Sequence, residues 1–165
     1  MGLLDRFRLH NKVALVTGAS RGIGRGIALG LAEAGARVIV SARSQGKLAE
    51  VVEEIAQGGS EAVAIPCDVN DVEQLEALAE AAPGAFGGVD LLVNNAGGSM
   101  PALIANTTLE TFEQALHFNV GSAFGLTRLL LPTLLASEGG AAVLNISSAM
   151  AHVVESGFVS YGTAK

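Results

Sequence analysis

The chain has 165 residues, 50% of them apolar and 16% charged, enough to bury one substantial core and too apolar for a disordered polymer. Its formal net charge of −6, with no run of Lys or Arg, argues against a nucleic-acid surface. No apolar run approaches the ~18 residues of a membrane span, the N-terminus lacks a signal peptide's apolar stretch, and the lone Cys67 precludes an internal disulfide.

A soluble, cytoplasmic protein with no nucleic-acid or membrane partner is therefore expected, with Cys67 packed in the core. Met1 to Asn11 reads as a short lead, in which Arg6 stands where an acylation signal needs Ser or Thr. Lys12 to Gly24 then organises the chain. Val13 to Val16 is apolar at every position, as a parallel strand covered on both faces must be. Gly18, Gly22 and Gly24 let the backbone turn sharply and approach a ligand, and the next helix aims its N-terminal amides and dipole there. Glycines so placed can serve tight packing alone. Three within seven residues, followed by a helix, favour a phosphate ligand.

Gly22 to Ala34 reads as the first helix, with Gly35 as its C-terminal cap, and Arg37 to Ser41 as the second strand. Ser44 is the candidate cap of a second helix whose Leu48, Val51, Val52 and Ile55 form one buried stripe. Ala62 to Ile65 is a third strand. Asn70 and Glu73 have the spacing of a reciprocal cap, with Val72, Leu75, Leu78 and Ala79 as the buried face behind it. Val89 to Val93 is the fourth strand and runs into Asn94-Asn95-Ala96-Gly97-Gly98. Thr107 and Glu110, at capping-box spacing, begin the longest helical pattern, Thr108 to about Ser137, which is apolar on more than one side and invites a partner subunit as second cover. Ala142 to Ile146 is the fifth strand, and the chain ends just inside another helix.

This alternation predicts one α/β domain over 1–165, a Rossmann-type doubly wound parallel sheet of five strands with helices on both faces. The ligand crevice of such a sheet lies at the carboxyl ends of its strands. Thr17 to Gly24, Ser41 to Ser44, Asp68, Asn94 to Gly98 and Ser147-Ser148 all fall at such ends.

Thr17-Gly18-x-x-x-Gly22-x-Gly24, Asn94-Asn95-Ala96-Gly97, Asn119, Ser148 and Tyr161-x-x-x-Lys165 together resemble the short-chain dehydrogenase/reductase family from about Asn11 onward. The glycine spacing differs from the Gly-x-Gly-x-x-Gly of long-chain dehydrogenases and from the family's extended branch. The resemblance implies hydride transfer between a nicotinamide and a carbonyl or alcohol carbon. It makes Tyr161 the acid/base, Ser148 the hydrogen-bond partner of the substrate oxygen, Lys165 the cation that favours the phenolate and holds the ribose, and Asn119 the support of a water relay. Tyr161 and Lys165, four apart, share a helix face. Bringing a phenol of pKa ~10 near neutrality takes roughly 4 kcal/mol, which one ammonium ~4 Å away can supply at an effective dielectric near 20.

For the cofactor, the resemblance implies that Thr17, Gly18, Ala19, Ser20, Arg21, Gly22, Ile23 and Gly24 cradle the diphosphate. Asp68 and Val69 would hold the adenine, and Asn95, Ala96 and Gly97 would lie against the ribose with Tyr161 and Lys165. Where NAD binders place an acid after the second strand, this chain has Ala42 and Arg43, so Arg43 and Arg21 favour a 2′-phosphate and hence NADP(H) over NAD(H). His10, His117 and His152 have no partner spaced for a metal, and none is expected.

Family members run to roughly 250 residues in one domain. The chain is thus expected to be a fragment of a longer product, truncated just inside the helix of Tyr161 and Lys165. Its short last helix would be marginal and its fifth strand an apolar edge. The alternative to an enzyme is a non-catalytic remnant that binds nucleotide or a partner subunit, with homo-oligomerisation through 108–137 expected at full length. Ser99 to Asn106 and Ala149 to Phe158 would line a largely apolar substrate pocket.

Overall fold

The computed structural model describes Gly2, residues 7–153 and residues 155–165. Arg6, on which the acylation expectation turned, lies outside them, as do Met1 and residues 3–5. Five strands, β1 (Val13–Thr17), β2 (Arg37–Ser41), β3 (Ala62–Ala64), β4 (Leu91–Asn94) and β5 (Ala142–Asn145), form one sheet in the order β3-β2-β1-β4-β5. Every pairing is parallel, with Leu15 opposite both Ile39 and Leu92. The helices are α1 (Gly22–Glu33), α2 (Gln45–Gln57), α3 (Val72–Phe86), α4 (Leu109–Leu116), α5 (Ser122–Leu135) and α6 (Val159–Ala164).

Alternation along each strand sorts the core into two layers. Val13, Leu15, Ile39 and Leu92 face α3 and α5 through Leu75, Leu78, Leu126, Leu130 and Leu134. Ala14, Val16, Val38, Val40 and Val93 face α1 and α2 through Ala28, Ala32, Leu48, Val51 and Ile55. Successive side chains point to opposite faces, so a strand buried on both must be apolar throughout. The doubly wound sheet expected from the sequence is the one observed. Cys67 is buried in the first layer, and burial, with the nearby carboxylates of Asp68 and Asp71, pushes its thiol up to about 11, which leaves it unreactive.

Several element ends differ from expectation for local reasons. The cap of α3 is Asp71, whose Oδ1 accepts the Glu73 and Gln74 amides at 3.0 and 3.2 Å, because a carboxylate suits the positive helix end better than an amide does. Asn70 instead gives its amide to Asp68 Oδ1 at 3.1 Å. Val72, at the first helical position, is 58% exposed beyond the reach of the sheet, and Ala82 takes a place on the buried face. Thr108, not Thr107, caps α4 by accepting the Thr111 amide, since the Thr107 hydroxyl is already donated to Leu103 O. Ser44 holds the cap position of α2 without a side-chain bond.

The single long helix expected over 108–137 is broken into α4 and α5 by a π-helical turn, His117–Gly121, in which the Ser122 amide reaches back five residues to His117 O. Taken as one element, Leu109–Leu135 is 27 residues long with a window hydropathy of 1.2, so length and composition alone would allow it to cross a membrane. The sequence reading had found no such run. Its Leu126, Leu130 and Leu134 are buried against the sheet, as in a domain helix, while Phe124 and Leu135 are 68% and 77% exposed.

At the amino ends of β1 and β4, Asp90 closes a polar clamp. Its Oδ2 accepts the Val13 amide at 2.8 Å, and its Oδ1 accepts from the Ser137 hydroxyl and from Lys12 Nζ at 3.4 Å. Burial pushes the pKa of this carboxyl up, but the bonds from Ser137, Val13 and Lys12 outweigh it and hold the group below the ordinary carboxylate range. A lowered folded-state pKa stabilises the fold above the unfolded value near ~3.9, and that contribution is lost as pH falls through the folded value. Asp90→Ala should therefore lower the unfolding free energy at neutral pH by about 2 kcal/mol, the worth of a hydrogen bond to a charged group, and flatten the acid limb of a urea-melt series. Equal urea midpoints for the two proteins at pH 7 would contradict the clamp.

Candidate functional site

The topology reverses between β1 and β4, which are neighbours although β2 and β3 come between them in sequence. At their carboxyl ends opens a cleft of about 520 Å³. One wall is the glycine turn with Arg21 and Ile23. The others come from Arg43 after β2, Asp68 and Val69 after β3, Asn95 to Gly97 after β4, and Tyr161 and Lys165 of α6.

The glycine turn is fixed by two residues of the expected set. The Thr17 hydroxyl donates to Val93 O at 3.3 Å and accepts the amides of Asn95 and Ala96, both at 3.1 Å. Asn95 Nδ2 donates back to Thr17 O at 2.9 Å and to Gly18 O at 3.3 Å. Gly18 has φ +66°, and a Cβ there would stand 2.8 Å from Asn95 Nδ2. A Cβ on Gly24 would collide with Asn95 Nδ2 and Gly18 O. Beside these tight contacts, Gly22, at φ +57°, has nothing within 4 Å of its would-be Cβ, so the start of α1 faces open space. The first amides of a helix have no acceptor within it. A packed floor, open space above and helix amides facing that space suit a diphosphate.

Thr17 and Ala19 lie beneath this surface, 3% and 0% exposed, and act on the cleft through the backbone. Arg43 projects into solvent with its Nη1 4.0 Å from Asp68 Oδ2. Asp68 is further held by Asn70 and by its own amide, which donates to Gln74 Oε1 at 2.9 Å.

At the other end of the cleft, Lys165 Nζ donates to Ile146 O at 2.8 Å and lies 5.9 Å from the centre of the Tyr161 ring. Burial lowers the pKa of this ammonium. A Cβ on Gly97 would stand 2.8 Å from Lys165 Nζ and 2.5 Å from Asn119 Oδ1, so only glycine lets the two approach the turn. Asn119 sits in the π-helical turn, 8% exposed, and its amide is fully engaged. It accepts the Gly98 amide and donates to Gly98 O and Ala115 O, all within 2.8–2.9 Å. It braces the turn after β4 and does not line the cleft.

Ser148 also stands outside the cleft wall. Its oxygen accepts the Met150 amide at 3.2 Å as the cap of a 3₁₀ turn, Ala149–Ala151, and its proton is left to donate. The adjacent Ser147 lines the cleft instead. Sequence reasoning also missed Lys47, a third cation on the rim beside Arg21 and Arg43. The available signal was its position in the first turn of α2, where the helix dipole disfavours positive charge. Phe118 is a further wall residue that the sequence did not single out.

Comparison with known proteins agrees with this geometry. The family model described as short chain dehydrogenase matches residues 12–165. An uncharacterized oxidoreductase of Mycobacterium tuberculosis (strain CDC 1551 / Oshkosh) is 44% identical over 163 residues, 99% of this chain and 62% of that protein. The 7α-hydroxysteroid dehydrogenase of Escherichia coli K12 is 40% identical over 98% of this chain and 62% of its own length. A solved 7α-hydroxysteroid dehydrogenase complexed with NADH and 7-oxo glycochenodeoxycholic acid superposes with a TM-score of 0.94 at 39% identity, over 99% of this chain and 64% of that one. The chain thus spans less than two thirds of the length of these relatives. With its parallel sheet, its braced glycine turn and its Tyr161/Lys165 pair, it belongs to the short chain dehydrogenase family.

Proposed function

We propose that the protein transfers a hydride between NADP(H) and a largely apolar carbonyl compound or secondary alcohol, with Tyr161 as acid/base. The observation that carries this reading is the sharing of one cleft by the glycine turn and by Tyr161 and Lys165. A dinucleotide held at its diphosphate by the first would be held at its nicotinamide end by the second. When bound, the nicotinamide supplies the hydride in reduction and accepts it in oxidation.

The protein's own groups handle the proton and the geometry. In reduction the Tyr161 hydroxyl gives its proton to the carbonyl oxygen, and the Ser148 hydroxyl donates a hydrogen bond to that oxygen. The Lys165 ammonium stabilises the phenolate that results and binds the ribose. Asn119 acts by holding Gly97 and Gly98 beside Lys165, and supports a water relay to its amine. Met100, Leu103 and Ile104, at 84%, 55% and 76% exposure on the loop after β4, offer the substrate an apolar surface. Ser148, Tyr161 and Lys165 together weigh against a remnant that only binds nucleotide. A second copy is the proposed cover for Phe124, Leu131 and Leu135 on the outer face of α5.

Arg21, Arg43 and Lys47 on the rim support a 2′-phosphate. The competing reading, NAD(H), draws on the NADH of the solved relative and on the carboxylate of Asp68 beside Arg43. Fluorescence titration separates the two. NADPH should bind more tightly than NADH, and Arg43→Asp should cut that ratio about tenfold, the worth of one charge-assisted hydrogen bond of ~1.5 kcal/mol. A parent that binds NADH at least as tightly as NADPH would assign the protein to NAD(H), and an unchanged ratio in Arg43→Asp would remove Arg43 from the 2′-phosphate site.

Catalysis is tested separately, by following NADPH oxidation with a panel of apolar ketones. Tyr161→Phe should lower kcat by about 10²–10⁴ while leaving nucleotide affinity within about twofold. Full activity in that variant would remove Tyr161 from the chemistry.

A further inference from the structure

The loop after β4 and the helix of Tyr161 are separate in sequence, yet a backbone bridge joins them, and ring contact carries it on to Tyr161. Ala102 and Phe158 form an isolated parallel bridge, in which the Ala102 amide donates to Gly157 O at 2.8 Å. Gly157 has φ +87°, a left-handed conformation that presents its carbonyl at little cost because the residue has no Cβ. Phe158 then stands at the N-terminal cap position of α6, its carbonyl accepting the Gly162 amide at 2.7 Å, and its ring meets the Tyr161 ring edge-on with centroids 6.4 Å apart at 61°. Edge-to-face pairs of this kind fix the angle of one ring against the other.

We propose that Phe158 is a positioning residue that ties the Ser99–Asn106 loop to the ring of Tyr161, so that the state of the loop sets the orientation of the phenol. The loop carries the exposed apolar side chains Met100, Leu103 and Ile104 on one side of the tie. On the other side, the tyrosine ring is half-buried and lies against Phe158 and Lys165. An apolar molecule settling on the loop would therefore fix the phenol before chemistry, and an empty loop would leave it freer. The functional consequence rests on the reading of Tyr161 as acid/base; the mechanical coupling does not.

The composition provides a direct probe, because Tyr161 is the one tyrosine in the chain and there is no tryptophan. In this 165-residue chain, intrinsic fluorescence anisotropy thus reports this ring alone. Phe158→Ala should lower the tyrosyl anisotropy and reduce kcat about tenfold, within the roughly hundredfold that a 1 Å misplacement can cost, while the affinity for NADPH stays within about twofold. Ala102→Pro removes the amide that bonds Gly157 while leaving both rings intact, and should lower anisotropy and kcat in the same direction. Far-UV circular dichroism establishes that each variant is folded. Unchanged anisotropy in folded Phe158→Ala would overturn the proposal, and so would a loss confined to Phe158→Ala and absent from Ala102→Pro. If anisotropy falls in both variants while Tyr161→Phe remains active, the coupling stands and the acid/base reading fails.

Discussion

The hydroxyl of Thr17 joins the two turns on which the cleft depends. It takes the amides of Asn95 and Ala96 and gives its proton to Val93 O, so one buried oxygen locks the end of β1 to the end of β4. Asn95 returns the bond to Thr17 O and Gly18 O and fills the space that a side chain on Gly18 or Gly24 would need. These strands meet where the winding of the sheet reverses, and the surrounding helices diverge there to leave a crevice. A polar floor at such a point must be fully bonded, because each buried amide left unpaired costs about 1–3 kcal/mol. The glycines supply the close approach and Thr17 supplies the acceptor.

The second half of the site is assembled from farther away. Asn119 reaches from the π-helical turn to both backbone groups of Gly98, and Gly97 leaves room for Asn119 and Lys165 side by side. The irregular turn presents the asparagine amide, which a continuous α-helix interior would have disfavoured through its local bonding. The cleft is therefore bounded by a floor made locally, around β1, and a far end made by contacts between β4, the long helical segment and α6.

What the sequence revealed divides along that line. The branched run into Gly18, the stripes of α2 and α5 and the polar residues at strand ends are local periodicities, and the parallel sheet follows from them. Caps were misassigned by one residue where two acceptors stand side by side, at Asn70-Asp71 and Thr107-Thr108, because geometry and charge decide between neighbours. The π-helical turn was invisible since its hydrophobic pattern continues that of α4 into α5. The pairing of Asn119 with Gly98, the exposure of Ser147 to the cleft and the place of Lys47 on the rim depend on tertiary contacts that no spacing encodes. Tyr161 and Lys165 were legible as a pair, and the ring of Phe158 against Tyr161 was not.

The cleft's proposed role depends most directly on a diphosphate held by the turn that Thr17 braces. Calorimetric titration of NADPH into Thr17→Val, which keeps the side-chain shape and removes the oxygen, should give an affinity at least about tenfold weaker than the parent, as expected for two amides left without their acceptor. A folded Thr17→Val protein that binds NADPH as tightly as the parent would contradict it.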